Sequence, residues 1–206
     1  LAGKMLLEDI PFELQKTVDL LRDIFNSEAA LRNNKFSIVS ELEPGIQFRG
    51  DPFRISQVLG NLLSNAVKFT HAGKITLRIS RVSDDPQSSG ISFRVEDNGI
   101  GIPADKLNEI FEPFSQVDYS AGSGVLGTGL GLTICREIAE LMNGSLVVES
   151  KLGKGSVFTF TVPLRKTEAP LPEVSVDTVT RAGHSLSGYR VLLVEDMELN
   201  LFIVQE

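Results

Sequence analysis

The sequence is short of cysteine, of basic charge and of long apolar runs. Cys135 is the only cysteine in 206 residues, so an internal disulfide and a thiolate metal cluster are both excluded. That economy fits a reducing cytoplasm. The formal net charge is −7; without a basic excess the chain offers no field for nucleic acid or an anionic membrane surface. No apolar run reaches spanning length and no signal peptide opens the chain. An initiator Met is also missing: Leu1-Ala2-Gly3-Lys4 reads as the edge of a piece of a longer protein. What is present suffices for a core, since 42% of the residues are hydrophobic and 206 residues hold one sizeable domain with appendages.

Leu14, Val18, Leu21 and Phe25 recur at helical spacing. They predict a helix opened by Pro11 and stopped near Asn33-Asn34. Phe36 to Leu42 reads as a strand ended by Pro44-Gly45. A second helix is predicted from Asp51 as N-cap, with Pro52 in its first position, to about Phe69. Ile75, Leu77 and Ile79 alternate, as do Ile91, Phe93 and Val95, and each set predicts a half-buried strand. Asp84 to Gly90 is the loop between them. Gly99 to Gly131 is glycine-rich and irregular, with a short helix near Ala104–Ile110. A third helix, Leu132 to Met142, and two strands, Leu146–Glu149 and Ser156–Leu164, follow. Arg165 to Ser187 has no period and reads as a linker. After it, Arg190-Val191-Leu192-Leu193-Val194 has the continuous apolar character of a buried parallel strand.

Four stretches carry chemistry, and each has a plain structural reading beside the functional one. Gln57, Asn61, Asn65 and Lys68 fall on one stripe of the second helix. Asn is a poor helix residue, so the stripe is either a solvated polar face or a ligand site. A carboxamide oxygen is a hard donor for Mg²⁺ and an ammonium meets phosphate. Asp97 shares its strand face with Ile91, Phe93 and Val95 and so points inward. It caps a turn, or it accepts from the exocyclic amino group of an adenine; Gly99 and Gly101 let the backbone approach a flat ring. Gly127-Thr128-Gly129-Leu130-Gly131-Leu132 runs into a helix whose first amides suit phosphate. No strand precedes it, so a dinucleotide fold is excluded. The Gly/Ser-rich run from Ser115 to Leu126 suits a lid. Gly153-Lys154-Gly155-Ser156 makes a tight turn, and Ser156 faces inward with Phe158 and Phe160, placed to hold a water beside the base.

In this order the stretches resemble the boxes of the histidine-kinase branch of the superfamily that also holds gyrase-type, mismatch-repair and heat-shock chaperone ATPases. The asparagine box matches Gln57 to Thr70 and the first glycine box Asp97 to Ile102. The phenylalanine box matches Phe111-Glu112-Pro113-Phe114, the second glycine box Gly127 to Leu132, and the last Gly153 to Ser156. The resemblance covers about Leu1 to Leu164. It implies an α/β fold, a two-layer α/β sandwich of the Bergerat type with a mixed sheet against three helices. It implies ATP and Mg²⁺ as cofactors, Asn65 as metal ligand, Lys68 on phosphate and Asp97 on adenine. Gly99, Gly101, Ile102, Gly127, Thr128, Gly129, Leu130, Gly131, Leu132 and Ser156 would complete the nucleotide site. Asn61 stands where hydrolytic cousins carry a Glu that activates water; an amide is no base, which favours transfer to a protein acceptor. No Lys or Arg occurs from Glu112 to Ile134, so γ-phosphate contact falls to Lys68 and backbone amides.

The flanks extend the resemblance. Residues 1–10 resemble the end of a dimerisation and phosphoacceptor helix, 11–164 the catalytic domain, 165–187 a linker and 188–206 the start of a receiver domain, with Glu195 and Asp196 as its acidic pair. The acceptor-histidine motif is absent, and His71 and His184 lack its context. The implied partners are the phosphoacceptor domain of the same protein and the downstream receiver. The implied parent is a homodimer with a cytoplasmic catalytic part, itself membrane-associated or not, and the fragment is expected as a monomer.

Overall fold

In the computed structural model the described residues are 6–43, 45–84, 87–115 and 128–171. They form one compact unit. The elements are β1 (Ile10–Glu13), α1 (Leu14–Leu31), β2 (Lys35–Ser40), β3 (Gln47–Gly50), α2 (Pro52–Phe69), β4 (Lys74–Asp84), β5 (Ser88–Asp97), α3 (Gly131–Leu141), β6 (Ser145–Lys151) and β7 (Gly155–Lys166), with two short 3₁₀ turns at Ala104–Lys106 and Glu109–Phe111.

The strands make one mixed seven-stranded sheet in the order β1-β3-β7-β5-β4-β2, with β6 also on β7. One edge of β7 pairs with β5 along most of its length. The other is shared by β6, from Gly155 to Thr161, and β3, at Arg165 and Lys166. Only β2 and β4 run parallel among the described pairs. Inward residues alternate as predicted: Ile75, Leu77, Ile79, Ile91, Phe93 and Val95 are all fully buried. Phe93 stands opposite Phe160 in register, with stacked rings 5.7 Å apart. Each such side chain contributes about 1.5–3 kcal/mol. The helices cover this face, so the architecture is the expected two-layer sandwich of a mixed sheet and three helices.

α2 matches the sequence expectation at both ends. Asp51 caps it by accepting from Arg54 N at 2.9 Å, and Pro52 begins it. The other Asp51 oxygen accepts from Glu8 N at 3.1 Å, tying the chain's early residues to this corner. α1 ends at the predicted asparagines. Asn33 takes a left-handed φ of 56° and Asn34 N reaches Ala29 O at 2.9 Å.

Three expectations are corrected. The first helix begins at Leu14, not Pro11; Ile10–Glu13 is an edge strand on β3, where proline's missing donor is tolerated. The loop predicted over Asp84–Gly90 is mostly strand, with Asp84 opposite Ser89 and Ser83 opposite Gly90. β7 continues through Arg165 and Lys166, held there by Phe48 and Arg49, so the polar run called a linker starts later. Pro44, the stretch from 116 to 127 with Gly127, His184, and the linker and receiver-like segment from 172 onward lie outside the described residues, as do residues 1–5.

Asn34 anchors the corner between α2 and β4. It is nearly sealed from solvent, donates to Thr70 O at 2.9 Å and accepts from Gly73 N at 2.9 Å. Asn34→Ala strands both backbone groups, so it should cost about 2–3 kcal/mol. Urea unfolding of the chain tests this; an unchanged midpoint would show that the corner holds itself.

Candidate nucleotide site

The polar stripe of α2 is built as predicted. Its apolar face, Ile55, Val58, Leu59, Leu62 and Leu63, is fully buried, so the helix cannot rotate and Asn61, Asn65 and Lys68 are left half-buried on the other side. Asn65 Nδ2 donates to Asn61 Oδ1 at 3.3 Å. The amide nitrogen is thereby engaged, which leaves Asn65 Oδ1 as an oxygen donor of the kind that suits a hard cation. Among the described residues no three His, Cys, Asp or Glu side chains cluster as an all-protein metal site. Asn61 is wedged against the start of α3. A methyl on Gly131 would stand 2.6 Å from Asn61 Oδ1 and 2.7 Å from Nδ2. Glycine at 131 is what lets the second glycine box close on the asparagine stripe.

Lys68 lies at the far end of the stripe, its ammonium 5.0 Å from the Phe69 ring centre. Burial lowers its pKa, and the nearby Arg32 charge adds to this. Arg32 donates to Lys68 O at 3.2 Å, satisfying one of the last carbonyls of the helix.

Asp97 ends β5 facing the same space. Burial raises its pKa above the ordinary 3.8, opposed by the Gly99 and Ser156 amides and the Thr70 hydroxyl. Gly99 N donates to its Oδ1 at 2.8 Å. Around it the first and last glycine boxes are stapled together. Gly153 N donates to Ile100 O at 2.7 Å, and a methyl on Gly155 (φ 95°) would collide with Asp97 O. Ser150 is the hub of this staple. It accepts from Ile102 N at 2.8 Å, lies 2.9 Å from Gly155 O, to which it donates, and 2.9 Å from Ser156 Oγ. Sequence reading missed Ser150. The signal was the tight turn at Gly153, which puts residue 150 opposite 156 in register.

The phenylalanine box positions α3. Phe111 is buried, and its carbonyl accepts from Thr133 Oγ1 at 3.0 Å and from Arg136 at 3.2 Å. Phe114, 73% exposed with a left-handed φ of 62°, donates its N–H to Gly129 O at 3.0 Å. Thr128 is exposed, and Leu130 and Leu132 are half-buried at the α3 start, where no side chain caps the first turn. Thr128 Oγ1 accepts from Leu130 N at 3.4 Å, and the amides that follow open the helix, the end at which anions are favoured. Ser156 is buried beside Asp97, as expected. His71 is exposed in the turn after α2. The structure thus brings Asn61, Asn65 and Gly131 together midway along α2, and Asp97, Gly99 and Ser156 together beside Thr70 at its C-terminal end; Gly101 and Ile102 join the second group through Lys151 and Ser150, and Gly129 meets Phe114. The grooves around Gly45 and Ile46 share no residue with them.

Asp97 also yields a stability test. Its raised pKa means the fold favours the neutral acid, so stability present below the unfolded value of 3.8 is lost as pH rises through the folded value. Asp97→Asn keeps an acceptor for Gly99 N and removes the buried charge. At pH 7 it should melt at least as high as the parent chain, the gap closing as pH falls toward 4. A lower melting temperature at pH 7 would mean that the carboxylate stabilises the fold.

Comparison with known proteins agrees with this geometry. Residues 50–166 match the family described as histidine kinase-, DNA gyrase B-, and HSP90-like ATPase. The hybrid signal transduction histidine kinase B of Dictyostelium discoideum is 36% identical over 197 residues, 96% of this chain and 10% of that protein. The aerobic respiration control sensor protein ArcB of Escherichia coli (strain K12) is 36% identical over 204 residues, 98% of this chain and 25% of its own length. The chain therefore spans a quarter or less of these relatives. Among solved structures, full-length ShkA in complex with AMPPNP superimposes with a TM-score of 0.69 at 30% identity, over 82% of this chain and 34% of that one. The nucleotide-free catalytic domain of the histidine kinase ThkA gives 0.60 at 30%, over 76% and 97%.

Proposed function

Because the chain belongs to the histidine kinase-, DNA gyrase B- and HSP90-like ATPase family and is similar to the catalytic region of hybrid sensor histidine kinases, we propose that residues 11–164 bind Mg-ATP and transfer its γ-phosphoryl group to a histidine on the phosphoacceptor domain of the same protein. The observation that carries this is the meeting of Asn61, Asn65 and Gly131 at one end of the site with Asp97 near the other. Adenine would bring its amino group to Asp97, and the triphosphate would run along α2 toward the α3 amides.

Asn65 Oδ1 is the chain's fitting donor for Mg²⁺, whose remaining positions phosphate oxygens and water would fill. The ion, when bound, neutralises charge on the transferring group. The chain's part is positioning: Lys68 and the amides of Gly129 to Leu132 hold phosphate, and Asn61 orients Asn65. Asn61 offers no base for water, which supports transfer over hydrolysis. In this reading Thr128, Leu130 and Leu132, with Gly127, belong to the phosphate cradle.

The flanking assignments complete the proposal. Residues 6–9 are not helical, Ile10 already belongs to β1 and β7 runs to Lys166, so in this reading only residues 1–5 end a dimerisation helix, 167–187 link, and 188–206 begin a receiver that takes the phosphoryl group onward. The parent works as a homodimer with this domain in the cytoplasm; no described helix is long and apolar enough to cross a membrane. A second reading, a nucleotide-binding module without transfer, is favoured by the absence of Lys and Arg from Glu112 to Ile134.

One assay separates the two readings. Incubated with radiolabelled Mg-ATP and a phosphoacceptor domain, the chain should label the acceptor histidine with acid-labile phosphate and should not label itself. Asn65→Ala should cut transfer by roughly 100-fold, about 2.7 kcal/mol of transition-state stabilisation, while weakening metal-free ADP binding far less. Transfer at the parent rate would remove Asn65 from the metal site, and no transfer by the parent chain would favour the second reading.

A further inference from the structure

Thr70 closes α2 and was read from the sequence only as the last letter of a box. Its surroundings assign it more. It is 1% exposed, and its Oγ1 is sealed from solvent without completing a hydrogen bond of regular geometry. Such an orphan costs free energy wherever a partner is within reach. The partner is close by. A methyl on Gly99 would stand 2.8 Å from Thr70 Oγ1 and 2.9 Å from Asp97 Oδ1, so both oxygens crowd the same glycine. The hydroxyl already favours the ionised form of that carboxylate. The rest of Thr70 cannot turn away: its carbonyl is held by Asn34 at 2.9 Å, and Ile100 N takes the preceding carbonyl, Phe69 O, at 3.2 Å.

Resting on the adenine reading of Asp97, we propose that Thr70 is a specificity-determining residue of the base pocket. Its hydroxyl donates to Asp97 and keeps the carboxylate an acceptor, and so selects a purine with an amino group at C6 over one with a carbonyl. With Gly99 N and Thr70 Oγ1 both donating, what remains of Asp97 is acceptor only, and it meets an amino group well and a carbonyl oxygen badly. Without Thr70 the carboxyl protonates more readily. A protonated Asp97 donates, and a C6 carbonyl is then tolerated. No charged side chain contributes at Asp97: burial raises its pKa, and the two amides and the hydroxyl are what oppose it.

The test is calorimetric titration of the chain with Mg-ATP and Mg-ITP from pH 5 to 8. The two nucleotides carry the same phosphates, so their affinity ratio cancels phosphate titration. Thr70→Val preserves shape, and its β-branched side chain suits the extended backbone there (φ −111°, ψ 137°). It should narrow the ATP-over-ITP ratio by about 5-fold and move the acid limb of that ratio to higher pH; Thr70→Ser should leave both as in the parent. A merely structural role would lower the melting temperature without moving the acid limb. If Thr70→Val does not fold, Thr70→Ala takes its place under the same reading. Ratio and limb both unchanged on loss of the hydroxyl overturn the proposal, as does Thr70→Ser failing alongside the valine variant. If the parent chain itself shows no preference for ATP, or Asp97→Asn leaves that preference intact, the adenine reading of Asp97 fails instead.

Discussion

The nucleotide site hangs on one turn, Lys68 to Lys74, and that turn hangs on the end of α1. Asn34 spends both ends of its carboxamide there, Arg32 takes Lys68 O, and Arg32 O receives Ala72 N. From the other side Asn98 accepts from Lys74 N at 2.6 Å and Ile100 N bonds Phe69 O at 3.2 Å. Lys68, Phe69, Thr70 and the first glycine box are therefore tied to one another. The glycine box after Asp97 is fixed to the ends of α2 and β4 by backbone and side-chain bonds.

That rigidity is needed because the site keeps a group the fold disfavours. A carboxylate sunk at the end of a strand costs solvation, and the amides and hydroxyl around Asp97 offset only part of it. A sequence selected for stability alone would place an amide or a hydroxyl at that position. The charge is retained where it faces a space bounded by Gly99, Gly155 and Ser156, two of them glycines whose added methyls would crowd or strike Asp97 itself. The small residues keep further side-chain atoms off Asp97. Stability given up at Asp97 is recovered in the sheet behind it, where Phe93 and Phe160 stack with no exposure.

Much of this was legible from the chain, and the boundary of legibility is physical. α2 was read to the residue because its signals are local: a capping Asp, a Pro, a full apolar stripe. Asn61, Asn65 and Lys68 followed from helical period, and Asp97 from strand period. β3 escaped because four residues, Gln47-Phe48-Arg49-Gly50, carry no pattern; they are strand because Ile10–Glu13 and Arg165–Lys166, far apart in sequence, pair on either side. The same non-local pairing converted the expected helix start at Pro11 into an edge strand. Ser150, Asn34 and Thr70 escaped for a related reason: a buried hydroxyl or amide gains its role from a partner that only the assembled fold supplies.

Asn61 shows how the chemistry and the packing constrain one another. A longer acidic side chain at that place would have to share its space with Gly131, whose Cα already sits so near Asn61 that a single methyl there would crowd both amide atoms. The contact is tolerable because Asn is short and neutral and because its oxygen is occupied by Asn65 Nδ2. A carboxylate would accept that bond too, but it would also present a base to any water beside the phosphate. An amide offers no such base. The short amide at position 61 thus meets two demands at one helical turn: it leaves room for the start of α3 at Gly131 and it accepts the Asn65 amide N–H.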